Sequence, residues 1–119
     1  MRRRKGRHTS EAVRGRIVPI DSPEAPRYAA LRALQDEASQ RMLRVHWAGL
    51  RDGPYLVLAT MGSPAVRVRC DYLRDQAGGD GGWWYVWHLG PQDGRTIAPV
   101  DDMANTLDVI RRELHRAVM

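Results

Sequence analysis

The sequence has few of the residues and patterns that carry cross-linking, membrane insertion or secretion. Cys70 is the single cysteine, which excludes an intrachain disulfide and favours a reducing, cytoplasmic setting. No run of about 18 apolar residues is present, so neither a membrane-spanning helix nor a membrane partner is expected. The basic N-terminus is not followed by an apolar run, and a signal peptide is therefore not predicted.

Motifs for nucleophilic or metal-assisted chemistry are also missing. His46, His88 and Cys70 lie on different predicted strands without a short ligand spacing, so no metal site is expected. Strand alternation points Cys70 inward and His46 outward, which disfavours a Cys–His pair. No serine stands in a nucleophile-elbow pattern. We therefore expect a protein that is not an enzyme, with no catalytic residue, metal or cofactor.

Lysine and phenylalanine are scarce. Lys5 is the only lysine among 19 basic residues, and phenylalanine does not occur. GC-rich codons favour arginine over lysine and disfavour phenylalanine, so this composition is typical of a high-GC bacterial genome. The association concerns origin and carries no information about mechanism.

The net charge of +5 is concentrated at the N-terminus. Residues 1–20 hold seven basic residues against one acidic residue, a balance of +6, and residues 21–119 hold twelve against thirteen, a balance of −1. We therefore divide the chain into a basic tail, 1–20, expected to be disordered, and a single α/β domain, 21–119. The alternatives for the tail are a solvated leader, an arm for an acidic partner, or a nucleic-acid arm formed by Arg2, Arg3, Arg4, Lys5 and Arg7.

Two segments carry the apolar spacing of amphipathic helices. The first is predicted over residues 23–40, after an Asp or Ser cap, with Tyr28, Leu31, Leu34 and Ala38 as its buried stripe. Its polar side, expected to face away from the core, is Arg27, Arg32, Asp36 and Glu37. The second helix is predicted to open at Asp101-Asp102, and its stripe contains Met103, Leu107, Ile110 and Leu114.

Five segments between these helices read as strands joined by short turns: 42–49, 55–60, 65–72, 83–89 and 95–100. The fourth belongs to the stretch GWWYVWHLG, which holds three of the four tryptophans. Alternation puts one set of its side chains on each face of the sheet. Trp83, Tyr85, Trp87 and Leu89 share one face, and we interpret Trp83, Tyr85 and Trp87 as the core set because they form the larger apolar face. Residues 73–82, rich in glycine, are expected to be a mobile hairpin connection.

The expected fold is α+β, an antiparallel β-meander of about five strands flanked by an N-terminal and a C-terminal helix packed on one face. The opposite face then carries the candidate interaction residues Arg44, His46, Arg67, Arg69, Trp84 and His88. Such a face can stack nucleobases, hold a peptide or pair with a second subunit, or its arginine stems can simply cover the aromatic rings.

Homodimerisation is the commonest use of such surfaces. We therefore expect a small cytoplasmic, non-enzymatic protein-interaction module that self-associates as a homo-oligomer or binds another protein. The alternative is a nucleic-acid-binding accessory or regulatory protein that uses the basic tail together with the Arg- and Trp-bearing sheet face.

Overall fold

The computed structural model describes residues 22–51, 53–74 and 81–118. The predictions for the basic tail, including its candidate nucleic-acid residues, and for most of the glycine-rich connection lie outside the described residues. The described elements are α1 Ala25–Gln40, β1 Arg44–Ala48, β2 Tyr55–Ala59, β3 Val66–Leu73, β4 Gly82–Trp87, β5 Thr96–Pro99 and α2 Met103–Val118.

The strands form one five-stranded sheet in the order β1-β2-β3-β4-β5, and every neighbouring pair is antiparallel. Tight turns make this order possible, and the β1–β2 turn depends on Gly49. Gly49 has a φ of +64°, and a Cβ at this position would lie 2.5 Å from the carbonyl oxygen of Gly53. A larger residue would therefore distort the turn. The predicted α+β meander is confirmed.

Both helices contribute to one hydrophobic core on the same face of the sheet. The predicted stripe of α1 is buried, and Leu107, Ile110 and Leu114 of α2 are buried as well. These residues belong to one cluster with the sheet residues Leu56, Leu58, Val68, Cys70, Tyr85 and Trp87. Trp83 packs against this cluster while remaining half-buried. The interpretation of Trp83, Tyr85 and Trp87 as the core set is therefore confirmed.

Tyr85 fastens α1 to the fourth strand. Its side chain is fully buried, and its hydroxyl donates a hydrogen bond of 2.6 Å to the carbonyl oxygen of Ala30. A hydroxyl buried without a partner would destabilise the fold, so this contact selects the position of α1. Burial also raises the pKa of Tyr85.

The edge strand β5 contains an irregularity that buries two consecutive residues. Tyr85 is opposite Ala98, but Val86 is opposite Thr96, so Ile97 is the extra residue of a β-bulge. Regular alternation would send Ile97 and Ala98 to opposite faces, whereas both belong to the core cluster. The bulge thus adds apolar area beneath α2.

The helix starts differ in part from the predictions. α1 begins at Ala25, and its N-cap residue Glu24 makes no side-chain capping hydrogen bond. The helix therefore starts two residues later than predicted; Ser22 accepts a hydrogen bond of 3.0 Å from the backbone N–H of Glu24 in the turn before it, and Asp21 lies outside the described residues. The start of α2 is confirmed, because Asp102 Oδ1 accepts from the backbone N–H of Asn105 at 3.2 Å.

Three side chains do not lie on the side that hydrophobic periodicity predicts, or are more exposed than it predicts. Arg27 was expected to face away, but its Nε donates to the carbonyl oxygen of Cys70 at 2.8 Å and its guanidinium lies 5.3 Å from the centroid of the Trp83 ring. Tyr72 and Leu89, which strand alternation puts on the core face, are 50% and 53% exposed. Tyr72 lies at the far end of β3, where its ring meets only the edge of Trp83. Leu89 follows the end of β4, so strand alternation no longer applies to it.

No helix among the described residues is long and apolar enough to cross a membrane.

Cys70 is predicted to be unreactive in the native protein. Burial raises the pKa of its thiol from 9.0 to about 12, so the nucleophilic thiolate is scarce at pH 8. Labelling by a thiol reagent should be at least about a hundredfold slower in native than in urea-unfolded protein. Cys70→Asp should lower the free energy of unfolding by about 3 kcal/mol or more, and the control Cys70→Ala by about 1 kcal/mol. Rapid native labelling would contradict the buried position.

Candidate interaction face

The face of the sheet opposite the core is here called the open face, because neither described helix packs on it. Its charged residues come mainly from β3, and its apolar residues come from β2 and β4. By alternation and pairing register, the open face consists of Arg44, His46, Ala48, Tyr55, Val57, Ala59, Arg67, Arg69, Asp71, Trp84, Val86 and His88.

Arg69 is the centre of a polar network on this face. Its Nε donates to Asp71 at 2.8 Å, and its NH1 donates to Asp93 at 2.8 Å. NH1 also lies 3.1 Å from Nδ1 of His88 and 3.3 Å from the carbonyl oxygen of Trp87. Burial by itself lowers the pKa of Arg69, but the two carboxylates outweigh it and hold that pKa above its ordinary value. One guanidinium therefore links β3, the end of β4 and the turn that follows.

Asp93 holds that turn in an uncommon backbone conformation. Its Oδ1 accepts from the backbone N–H of Leu89 at 2.6 Å as well as from Arg69. Leu89 has a φ of 61°, in the left-handed region that disfavours residues with a Cβ. The backbone hydrogen bond and the guanidinium both lower the pKa of Asp93. Asp93 thus fixes a turn that leaves the Leu89 side chain exposed.

His88 is held between an aromatic ring and a cation. Its ring centroid lies 4.2 Å from that of Tyr55. Because a guanidinium only donates, the contact with Arg69 makes Nδ1 of His88 the acceptor and leaves the proton of the neutral ring on Nε2. Burial, and next the positive charge of Arg69, lower the pKa of His88 from its ordinary 6.5. The ring is therefore neutral at pH 7.

The lowered pKa values of His88 and Asp93 make the stability of the fold depend on pH in acid. A group whose pKa is lower in the folded than in the unfolded state stabilises the fold above its unfolded pKa. For His88 this contribution is present above pH 6.5 and disappears as the pH falls through the folded pKa. For Asp93 the contribution is present above pH 3.8 and is lost as the pH falls through the lower pKa of the folded state. Both contributions to folding stability are therefore present at neutral pH and are lost in acid.

The apolar part of the open face is concentrated around β4. Val86 is 1% exposed but does not belong to the core cluster, and it lies between Arg69 and Thr96 in the pairing register. Trp84 is half-buried beside Asp71 and Pro99. On β2, Tyr55 and Val57 are half-buried too. On this face Val86 is therefore buried, whereas the apolar side chains of Trp84, Tyr55 and Val57 are partly accessible.

The structure brings some of the predicted site residues together and separates others. Arg69 and His88 are in contact, and Arg67 is next to both, since its carbonyl oxygen accepts from the backbone N–H of His88 at 2.9 Å. Arg44 and His46 lie on the edge strand β1, two strands from β3. Trp84 lies at the opposite end of β4 from His88.

Three members of the site were missed by sequence reasoning. Alternation along β3 puts Asp71 on the same face as Arg69, and the spacing of two residues between them could have indicated the ion pair. Tyr55 lies in a strand that is apolar on both sides, where periodicity does not distinguish the faces. Asp93 lies in a turn, and its distance from Arg69 along the chain gives no sequence signal.

A small cavity opens at the His88 end of the face. Its volume is about 230 Å³. Its walls combine Arg67 and His88 of the open face with Val66 and Trp87 of the core face and Glu113 of α2, so the cavity reaches around the end of the sheet to the helix-covered side. Sites for drug-sized ligands usually have about 300–1,000 Å³. This space is therefore closer to the size of one large side chain.

Comparisons with protein-family models, with curated proteins and with solved structures found no match to this chain. Among the residues that the structure describes, no three His, Cys, Asp or Glu side chains are grouped in a way that could hold a metal ion. The arguments about function therefore rest on the open face and its chemistry.

Replacing Arg69 by methionine is predicted to loosen the open face. The variant loses hydrogen bonds to two carboxylates, and we expect the free energy of unfolding to fall by about 1–2 kcal/mol, because the network is partly solvent-screened. The pKa of His88, followed by NMR, should rise towards 6.5 because a neighbouring positive charge is removed. The matched control is Arg67→Met, at an exposed position, which should cost less than about 0.5 kcal/mol. Equal losses for the two variants would contradict the network.

Proposed function

We propose that this protein is a non-enzymatic interaction module of the cytoplasm that self-associates through its open face. The observation that carries the proposal is the placement of α1 and α2 on one face of the sheet, opposite a face with partly accessible aromatic and apolar side chains. A free, buried thiol at Cys70 supports the cytoplasmic setting.

The composition of the open face suits a protein partner. Trp84, Tyr55 and Val57 offer an apolar centre, and Arg67 lies at its border. Interfaces are enriched in tryptophan, tyrosine and arginine, which contribute most of the binding energy when they become fully buried. Because Arg69 and His88 are already held in place, little side-chain freedom would be lost on association.

The size of the face indicates a weak, reversible dimer. Five strands about 4.8 Å apart, each of about five residues, give a flat area of roughly 400 Å². Stable complexes of standard size bury about 800 Å² on each partner. Even with the added relief of the side chains, the open face is at the small end of specific interfaces. Association should therefore depend visibly on protein concentration.

A second candidate function, nucleic-acid binding, is favoured by one specific feature. Arg44, His46 and Arg67 are exposed on the β1–β3 side of the open face, and neither arginine forms an ion pair with a described residue. Phosphates would be attracted to this group and to the basic tail. Oligonucleotide binding that weakens steeply with salt and is lost in Arg44→Ala would favour this candidate over self-association.

The two adjacent tryptophans of β4 provide the test of self-association. We expect Trp84→Ala to raise the dissociation constant of the dimer at least about tenfold, because Trp84 would be buried in the interface. Its cost in unfolding free energy should be about 1 kcal/mol, since the residue is only half-buried in the monomer. The measurement is sedimentation velocity over a range of concentrations, with chemical denaturation in parallel.

Trp83→Ala is the matched control, because Trp83 is also half-buried but packs on the core side beneath Arg27. It should lose about 2–3 kcal/mol of stability and leave the dissociation constant unchanged once folded. A monomeric wild-type protein at high concentration, or equal large stability losses at both positions, would overturn the proposal.

A further inference from the structure

We propose that the second copy docks on the open face with its β3 antiparallel across β3 of the first, so that Arg67 of each copy is opposite Asp71 of the other. This arrangement rests on the self-association proposed above. It specifies the symmetry axis, the charge pairs and the position of Trp84 opposite His88 of the other copy.

The order of charges along β3 selects the direction of docking. Arg67, Arg69 and Asp71 project from the same face of one strand, with opposite charges about 13 Å apart at the two ends. A two-fold axis parallel to the strands would superpose Arg67 on Arg67 and Asp71 on Asp71. A two-fold axis that lies in the interface and crosses the strands at Arg69 places Arg67 of each copy opposite Asp71 of the other. Two repulsive contacts between like charges are thereby replaced by two attractive contacts.

The same axis places two copies of Arg69 close together, which would be unfavourable for bare cations. Each Arg69 already donates to Asp71 and Asp93 of its own chain, both at 2.8 Å. The guanidinium is thus neutralised before association, and its side chain is only 25% exposed. Arg67, in contrast, forms no ion pair with a described residue, so its charge remains for the second copy.

The shape of the face agrees with the charge pattern. Along β4 the axis brings Trp84 of one copy opposite His88 of the other, because Trp84 is in register with Asp71 and the backbone N–H of His88 bonds to Arg67. On this side of the sheet the indole of Trp84 would lie next to the Arg67 cation of the other copy, an arrangement favourable for cation–π attraction.

Two charge-reversal variants test the arrangement when they are mixed. Arg67→Glu and Asp71→Arg should each weaken self-association at least about tenfold, because like charges then face each other twice. An equimolar mixture should form heterodimers with a dissociation constant within about threefold of wild type, since both contacts become attractive again. Sedimentation velocity of each variant and of the mixture is the measurement. Arg111→Glu is the control, because Arg111 is exposed on α2, on the opposite side of the sheet from the open face; it should dimerise as the wild type does.

Circular dichroism and thermal melting verify that each variant is folded, since Asp71 also bonds to Arg69. If Asp71→Arg unfolds, the neutral variants Arg67→Gln and Asp71→Asn serve instead. In that series the double variant should self-associate no more weakly than either single variant. Each single substitution already removes the contact between Arg67 and Asp71, so the second has nothing further to remove.

The outcomes separate this inference from the function on which it rests. A wild-type protein that stays monomeric overturns both. If the wild type dimerises but the mixture of charge-reversal variants does not recover wild-type affinity, the docking arrangement is overturned. The same holds if the neutral variants weaken association additively. In both cases self-association would occur through another surface. Recovery in the mixture, with an unaffected Arg111→Glu control, supports the antiparallel arrangement.

Discussion

The alternation of side chains along β3 and β4 is the constraint on which the rest of this structure depends. Val68, Cys70, Tyr85 and Trp87 share one face, and both amphipathic helices bury their apolar stripes there. Backbone geometry then requires Arg67, Arg69, Asp71 and Trp84 to project from the other face. The hydroxyl of Tyr85 reinforces this division, because its bond to the carbonyl oxygen of Ala30 holds α1 over the middle of the sheet. Because both helices pack on one face of the sheet, the polar and aromatic side chains of the other face remain at the surface.

Ionic contacts then determine which residues of the open face are rigid. Arg69 contacts Asp71, Asp93 and His88, and Asp93 in turn holds the backbone of Leu89. Such partly exposed pairs contribute modestly to stability, but several contacts on one guanidinium restrict its geometry. The open face therefore has a fixed centre at Arg69 and, at Arg67, a cation that forms no ion pair with the residues the structure describes. This difference between two arginines on one strand is the basis for the assigned roles.

Much of the fold could be predicted because its signals are local. The stripe of α1, the Asp102 start of α2 and the alternation of β3 follow from spacing and capping chemistry, and the structure agrees with them. The exposed positions of Tyr72 and Leu89 could not, because they depend on where the helices end over the sheet and on where β4 stops. The inward contacts of Arg27 could not be predicted for a related reason. Its partners are distant in sequence: Cys70 is 43 residues away, and Trp83 lies on β4.

The candidate site was harder to predict than the fold. Arg67, Arg69, Trp84 and His88 were found from alternation alone, but periodicity cannot tell a paired arginine from an unpaired one. That distinction required the position of Asp93, which the turn after β4 brings to Arg69 from 24 residues away. Tyr55 was missed because both faces of β2 are apolar, so only the pairing register assigns its side chain to the open face.

The most direct measurement of the central claim, that the open face is the association surface, is hydroxyl-radical footprinting at increasing protein concentration. The account predicts that oxidation of Trp84 and Tyr55 falls as dimer forms. Oxidation of Tyr72, which is 50% exposed on the core side of the sheet, should stay constant over the same range. Unchanged oxidation of Trp84 in a sample that sedimentation shows to be dimeric would contradict the account.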